Sequence, residues 1–204
     1  SSSYRCGLVV NCECGFVTYE DWRLEDPSDL DHRMAEWTIG EAATATVVTA
    51  RDGDDWHFAF RNFGEHFDVC LFPLPEVAER FVPGVIDRRH VPMRLYSLSK
   101  PLMSIGTAKL AETFTADARL RADRYDVIFG HAASDKAISV LSRRLGIPEE
   151  VYFPTHARFA NTVSASIPLA MSLALEEGRL TRGQKVLLMA AGSGISIGLA
   201  SFTF

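Results

Sequence analysis

Apolar and polar positions along the chain fall into short runs with clear stops, and most of the runs have strand or helix length. Cys6-Gly7-Leu8-Val9-Val10-Asn11 is a β-branched run that begins almost at once. Glu20 to Arg33, rich in Asp, Glu, Pro and Ser, predicts a solvated loop. Ala42 to Ala50 passes from small to β-branched residues, which suits a tightly packed core strand. Arg51-Asp52-Gly53-Asp54-Asp55 predicts a turn, and it divides the chain into residues 1–53 and 54–204.

Beyond the turn, Trp56 to Phe60 alternates apolar and polar and predicts a strand. Pro73, Pro75, Pro83 and Pro92 break up the stretch to Tyr96, predicting a loop-rich excursion with one or two short helices. Pro101 to Phe114 reads as a helix, and Tyr125 to Gly130 as a buried strand that ends at His131. Ser134 to Leu145 is the helix after it, stopped by Gly146 and Pro148. Val151-Tyr152-Phe153 predicts another short strand, and Thr162 to Glu177 a helix ended by Gly178. Ser164, Ala165, Ser166 and Ala170 crowd the start of that helix, and small residues let it lie close to another backbone. Lys185 to Ala190 and Ile195 to Phe204 flank the turn Gly192-Ser193-Gly194 as an antiparallel pair. The whole order is an α/β layered plan.

Composition narrows the function classes. The 204 residues are 47% apolar and 23% charged, ordinary values for a globular protein. A net charge of −5 with no Lys/Arg cluster among aromatics argues against nucleic acid as a partner. No apolar run approaches the roughly 18 residues of a membrane span, and Ser1 to Arg5 carries no signal-peptide pattern, so the expected location is the cytoplasm. Cys6, Cys12, Cys14 and Cys70 read as free thiols. Cys12 and Cys14 stand too close together for usual zinc spacing, and neither a metal nor a resident cofactor is expected.

His131, at the carboxyl end of a buried strand, sits where α/β folds place their sites. Asn161, at a helix start, is equally at home as a plain N-cap. Their surroundings join them. Ala160-Asn161-Thr162-Val163-Ser164-Ala165-Ser166-Ile167-Pro168 resembles the Gly-Asn-Thr-Ser-Ala-Ala-Ser-Val-Pro helix start of the 3-oxoacyl-ACP synthase III family. Gly130-His131-Ala132-Ala133-Ser134 sits where that family has His-Gln-Ala-Asn, thirty residues before Asn161. Gly178 to Leu188 resembles its turn into the last strand pair, and Gly192 to Gly198 its closing glycine-rich turn. More faintly, Thr38 to Ala45 resembles a diverged Phe-Gly-Asp-Gly-Ala-Gly-Ala segment, and Tyr4 to Asn11 the strand after the nucleophile helix.

The resemblance implies a thiolase-like layered αβαβα fold, represented by its C-terminal half (54–204) and the last strands of its N-terminal half (1–53). It implies decarboxylative Claisen condensation on an acyl-cysteine, with His131 and Asn161 catalytic and the Gly194 N–H in an oxyanion hole. Substrates would be acyl and malonyl thioesters of coenzyme A or an acyl carrier protein, and Ser134 and Lys136 would meet the substrate or its carrier. The nucleophilic cysteine would lie upstream of residue 1, on an N-terminal piece or companion chain, and the assembly would be a dimer. Cys14-Gly15-Phe16 imitates the nucleophile motif, but it follows a strand directly and the acidic, Pro-broken segment after it is no small-residue helix. The family's Gln and Asn after the histidine are Ala132 and Ser134 here. These departures keep open an acyltransferase to oxygen or nitrogen, with the histidine as base, and a non-catalytic partner subunit.

Overall fold

The computed structural model describes residues 5–14, 26–27, 30–50, 53, 55–71, 95–131 and 133–204. Its centre is a four-stranded mixed sheet in the order β3-β8-β7-β6, formed by β3 (His57–His66), β6 (Val127–Gly130), β7 (Lys185–Gly192) and β8 (Gly194–Thr203). β6 and β7 run parallel, with Val127 opposite Val186 and Gly130 opposite Met189, while β8 is antiparallel to both β7 and β3.

Continuous apolar runs such as Val127-Ile128-Phe129 arise because both faces of the sheet are covered at β6 and β7. Successive side chains point to opposite faces, so Ile128, Leu187 and Met189 pack on one side with Leu110, Phe114, Leu120 and Leu141. The helices α2 (Ser99–Ala116), α3 (Ala118–Ala122) and α4 (Asp135–Leu145) supply those partners. Val127, Phe129, Val186 and Phe202 face the other way, against Ala170 and Ala174 of α6 (Ser166–Glu176), which follows the short helix α5 (His156–Phe159). Ser166, Ala170 and Ala174 recur every four residues on one buried face, which brings the α6 backbone near the sheet.

The α4 helix starts at Ser134, whose Oγ accepts from the Lys136 N–H at 3.2 Å, and stops at Gly146 in the left-handed conformation (φ 68°). The opening of β3 is pinned by Asp55, which accepts from the Thr203 N–H at 2.7 Å, the Thr203 hydroxyl at 2.8 Å and Lys185 Nζ at 2.6 Å. Between β3 and α2 lie the short strands β4 (Cys70–Leu71) and β5 (Tyr96–Ser97), paired antiparallel.

A second, two-stranded sheet is formed by β1 (Cys6–Glu13) and β2 (Ala42–Thr49), antiparallel from Cys6 opposite Thr49 to Glu13 opposite Ala42. The helix α1 (Leu30–Trp37) connects them and packs on β5 and α2. This ribbon rests on the start of α6: β2 contacts the helix itself, and β1 contacts the 3-10 turn Val163–Ala165 before it.

Several sequence expectations need correction. Leu30 to Arg33 is helical rather than loop. β2 is a strand, but not a packed core strand: Leu8 and Val47, which oppose each other in the ribbon, are each 65% exposed. The strand from Trp56 does not end at Phe60 but runs to His66, because β8 pairs with it from His57 to Asn62 and, past a break in register, again at His66. Val151 to Phe153 is no strand; it is a 3-10 turn (Glu149–Val151) followed by a single bridge from Tyr152 to Ile128. The helix expected from Thr162 begins as a separate 3-10 turn and turns α-helical at Ser166. Gly15, Phe16, the four excursion prolines and Ala132 lie outside the described residues. No described helix is long and apolar enough to cross a membrane.

Candidate active site

The site forms at the carboxyl ends of the parallel strands β6 and β7, the edge where strand-end side chains and loop backbone converge. His131 is the first residue after β6, and its N–H donates to the Met189 carbonyl at 2.9 Å, continuing the ladder by one step. The imidazole is therefore anchored by regular sheet geometry. Its Nδ1 lies 3.5 Å from the hydroxyl of Ser166, which is fully buried and also accepts from the Thr162 hydroxyl at 3.2 Å.

Burial holds the His131 imidazole below its ordinary value of 6.5, because removing the ring from water penalises its charged form. The Val163 backbone beside the ring and the negative field of Glu13 act in the opposite sense and do not cancel it. The ring is thus kept neutral near neutral pH, the state a proton acceptor or a neutral donor needs.

Asn161 is held by both its backbone and its side chain. Its N–H donates to the Thr38 carbonyl at 2.7 Å, and its own carbonyl accepts from the Gly40 N–H at 2.8 Å. Ile39 and Asn161 form a parallel bridge, so the loop between α1 and β2 grips the residue like an extra strand. Its Oδ1 accepts from the Val163 N–H at 3.0 Å. That bond consumes the amide's acceptor, and the Nδ2 donor has no partner among the described residues. Asn161 is thus not the helix N-cap expected from the sequence, since Thr162 precedes the 3-10 turn and Ala165 the α-helix, and its bond to the Val163 N–H is a local turn that orients the amide.

Val163 lies beside both residues, giving its N–H to Asn161 Oδ1 while its backbone favours the charged form of the His131 ring. It adopts φ 44° and Ala160 adopts φ 56°, both in the region that favours glycine. A β-branched residue held there costs of order 1–3 kcal/mol, and such strain persists only where surrounding contacts dictate it. Here the contacts are those of Asn161 and its neighbours. Close approach also fixes Gly40: a side chain there would put its first carbon 1.9 Å from the Phe159 carbonyl oxygen.

The other expected residues lie around this centre. Gly194, at φ 127°, opens β8 just past the end of β7 and pairs with His66 of β3. Ser134 serves as the α4 cap, and Lys136, in the first turn of α4, lines an open hollow with Asp135, Ile138 and Glu149. Cys14 lies at the end of β1, exposed, with its Sγ 3.5 Å from Glu41 Oε1, a carboxylate that raises the thiol above its ordinary value. That is the reverse of what an attacking thiolate needs. Among the described residues no cluster of three or more His, Cys, Asp or Glu could hold a metal ion. Sequence reasoning marked Ser164 and Ser166 only as small residues and passed over Glu13 and Val163. Glu13 carries no local signal, since its partner Ser164 is 151 residues away.

Residues 115–204 match the family model described as 3-oxoacyl-[acyl-carrier-protein] synthase III C terminal. The chain is 34% identical over 174 aligned positions to the β-ketoacyl-[acyl-carrier-protein] synthase III of Acidiphilium cryptum, covering 81% of this chain and 51% of that relative. It thus spans about half the length of that relative. Two solved structures share the fold across 98% of this chain. The 3-oxoacyl synthase III of Thermus thermophilus superposes at TM-score 0.78 with 23% identity and 59% of its own chain covered. OleA of Xanthomonas campestris, with bound lauric acid and lauroyl-CoA, superposes at TM-score 0.79 with 20% identity and 58% of its chain covered. On the motifs, the geometry and these matches together, the chain belongs to the 3-oxoacyl-ACP synthase III family and has its thiolase fold.

Proposed function

We propose that this chain supplies the enolate-stabilising half of a condensing enzyme that performs decarboxylative Claisen condensation on an acyl-cysteine. The observation that carries the reading is the convergence of His131 and Asn161 on the turn before α6 at the carboxyl edge of the sheet, His131 Nδ1 facing the Ser166 hydroxyl and Asn161 Oδ1 held by the Val163 N–H. In this reading a cysteine outside this chain takes an acyl group from a thioester of coenzyme A or of an acyl carrier protein. A malonyl thioester then loses carbon dioxide: the bond between its carboxylate and α-carbon breaks, and the electron pair passes into the thioester as an enolate.

Two aimed donors meet that charge. The Asn161 Nδ2 group is one, directed by the Oδ1 bond to Val163, and a ring N–H of His131 is the other. The remaining imidazole nitrogen, Nδ1, is then the one facing the Ser166 hydroxyl. The carbon nucleophile attacks the acyl-cysteine carbonyl, whose developing oxyanion the Gly194 N–H would receive, and the adduct then collapses by breaking its C–S bond, releasing the β-ketoacyl thioester and the cysteine as thiolate. Ser134 and Lys136, at the mouth of α4, are assigned to the substrate or its carrier.

The same reading assigns residues 1–53 to the end of an N-terminal half and 54–204 to the C-terminal half. It expects a segment carrying the cysteine, as a companion chain or an N-terminal piece, and a two-fold assembly. Support comes from the ribbon of β1 and β2, whose Leu8, Val9, Val10, Val47 and Val48 are exposed on a sheet of two strands. Such edges and faces ordinarily find partners.

A second reading, acyl transfer to a hydroxyl or amine, rests on Ser134 standing where the family has asparagine and on the neutral His131 ring, which would act as base. A silent supporting subunit is less well served, since His131 and Asn161 are both present and both held. The test is product analysis by mass spectrometry after mixing the full-length protein with acyl and malonyl thioesters. A β-ketoacyl product with loss of carbon dioxide supports condensation; an ester or amide without a new carbon–carbon bond supports the second reading.

A further inference from the structure

The turn that sets His131 and Asn161 is strained, and one contact from a different sheet holds it. Glu13, the last residue of β1, lies opposite Ala42 at the end of the ribbon. Its Oε1 accepts from the Ser164 N–H at 3.1 Å and from the Ser164 hydroxyl at 2.5 Å. Ser164 directly follows Val163 and sits in the 3-10 turn Val163–Ala165, which is against β1. Two donors on one carboxylate oxygen, one of them backbone, fix that turn more tightly than a hydroxyl contact alone. Ser164 stands where the family pattern has alanine, so the hydroxyl half of this clamp belongs to this chain's own turn.

We propose that Glu13 is a positioning residue for the site: by clamping Ser164 it holds the Val163 turn in the conformation that orients both His131 and Asn161. The proposal rests on the assignment of those two residues to the reaction. Its geometry does not depend on which acceptor they serve. The His131 ring feels Glu13 in two ways, through the clamped turn and through the carboxylate's field. The groups acting on the ring are the Val163 backbone, the Ser166 hydroxyl and Glu13, the one charged group among the described residues that favours its protonated form. Burial opposes them.

Three variants of the full-length protein separate these effects. Glu13→Gln keeps an oxygen acceptor for Ser164 and removes the charge. Glu13→Ala removes both, and Ser164→Ala removes the hydroxyl but keeps the N–H. Two readouts apply: the titration of the His131 imidazole by nitrogen-15 NMR, and kcat and KM for the reaction. In Glu13→Gln the His131 midpoint moves to lower pH, since a favourable negative charge is gone, while kcat stays near wild type. In Glu13→Ala kcat falls roughly tenfold with KM nearly unchanged, well inside the about 10²-fold that a 1 Å misplacement can cost. Ser164→Ala falls between wild type and Glu13→Ala.

A wild-type His131 midpoint in both Glu13 variants overturns the proposal, as does a wild-type kcat in Glu13→Ala. The titration reads the coupling without any substrate. A wild-type protein that releases no carbon dioxide from a malonyl thioester but shows the midpoint shift therefore counts against the condensation reading and for the clamp. Should Glu13→Ala fail to fold, Ser164→Ala decides: a lowered kcat supports the clamp, and a wild-type kcat overturns it.

Discussion

Gly40 donates its backbone N–H to the carbonyl of Asn161 at 2.8 Å, across 121 residues of sequence. The loop before β2 and the loop before α6 are thereby joined at one candidate catalytic residue. Only a residue without a side chain fits, since a Cβ at position 40 would meet the Phe159 carbonyl oxygen at 1.9 Å. Gly40→Ala must push apart two backbones that jointly hold Asn161. The expected cost is about 1–3 kcal/mol of stability, the range for overpacking, together with a loss of activity. Chemical denaturation checks the first and steady-state kinetics the second; a variant as stable as wild type would show that the loops separate freely.

His131 carries a pH signature with a definite sign. Its folded value lies below 6.5, so the unfolded chain takes up this proton first as pH falls. The stability it contributes is full above about 6.5 and is lost as the pH descends through the folded value. Denaturant unfolding of wild type and His131→Gln across that range should show a steeper acid loss in wild type. Parallel curves would contradict a buried, neutral ring.

Asp55 has the opposite role, as a carboxylate whose charge is wanted. Its bonds to Lys185 and to the Thr203 N–H hold its carboxyl well below the usual range. The stability from this knot is present above about pH 4 and lost as pH falls through the lower folded value. Asp55→Asn should destabilise the protein by roughly 1–2 kcal/mol at pH 7, with the gap to wild type narrowing in acid. Thermal unfolding at several pH values measures it, and a gap independent of pH would locate the effect elsewhere.

The ribbon of β1 and β2 makes a prediction about association. Leu8 and Val47 are opposite each other and both 65% exposed. The isolated 204-residue chain is expected to self-associate through this face, and Leu8→Lys with Val47→Lys to reduce that association. Sedimentation at increasing concentration checks it; a monodisperse chain with the original residues would count against an unmet partner surface.

The sequence was most legible where a pattern is local. Val127-Ile128-Phe129 announced a strand covered on both faces, and Gly146 and Gly178 stopped their helices where expected. The strand β3 outran its pattern because its length is set by pairing with β8, a contact more than a hundred residues away. Val151 to Phe153 had strand composition, yet Pro148 and the Glu149 turn leave only Tyr152 in register with Ile128. At the site, His131 and Asn161 were readable from motif and spacing. Glu13, Gly40 and Val163, which hold them, were not, because their roles lie in backbone bonds between distant segments.

The central claim, that His131 and Asn161 stabilise an enolate, is tested most directly by the rate of labelled carbon dioxide release from a malonyl thioester on the full-length protein. Loss of one aimed donor typically costs about 10²–10³ in rate, so His131→Ala and Asn161→Ala should each fall by that factor while acylation of the cysteine continues. Carbon dioxide release at the wild-type rate in either variant would contradict the account.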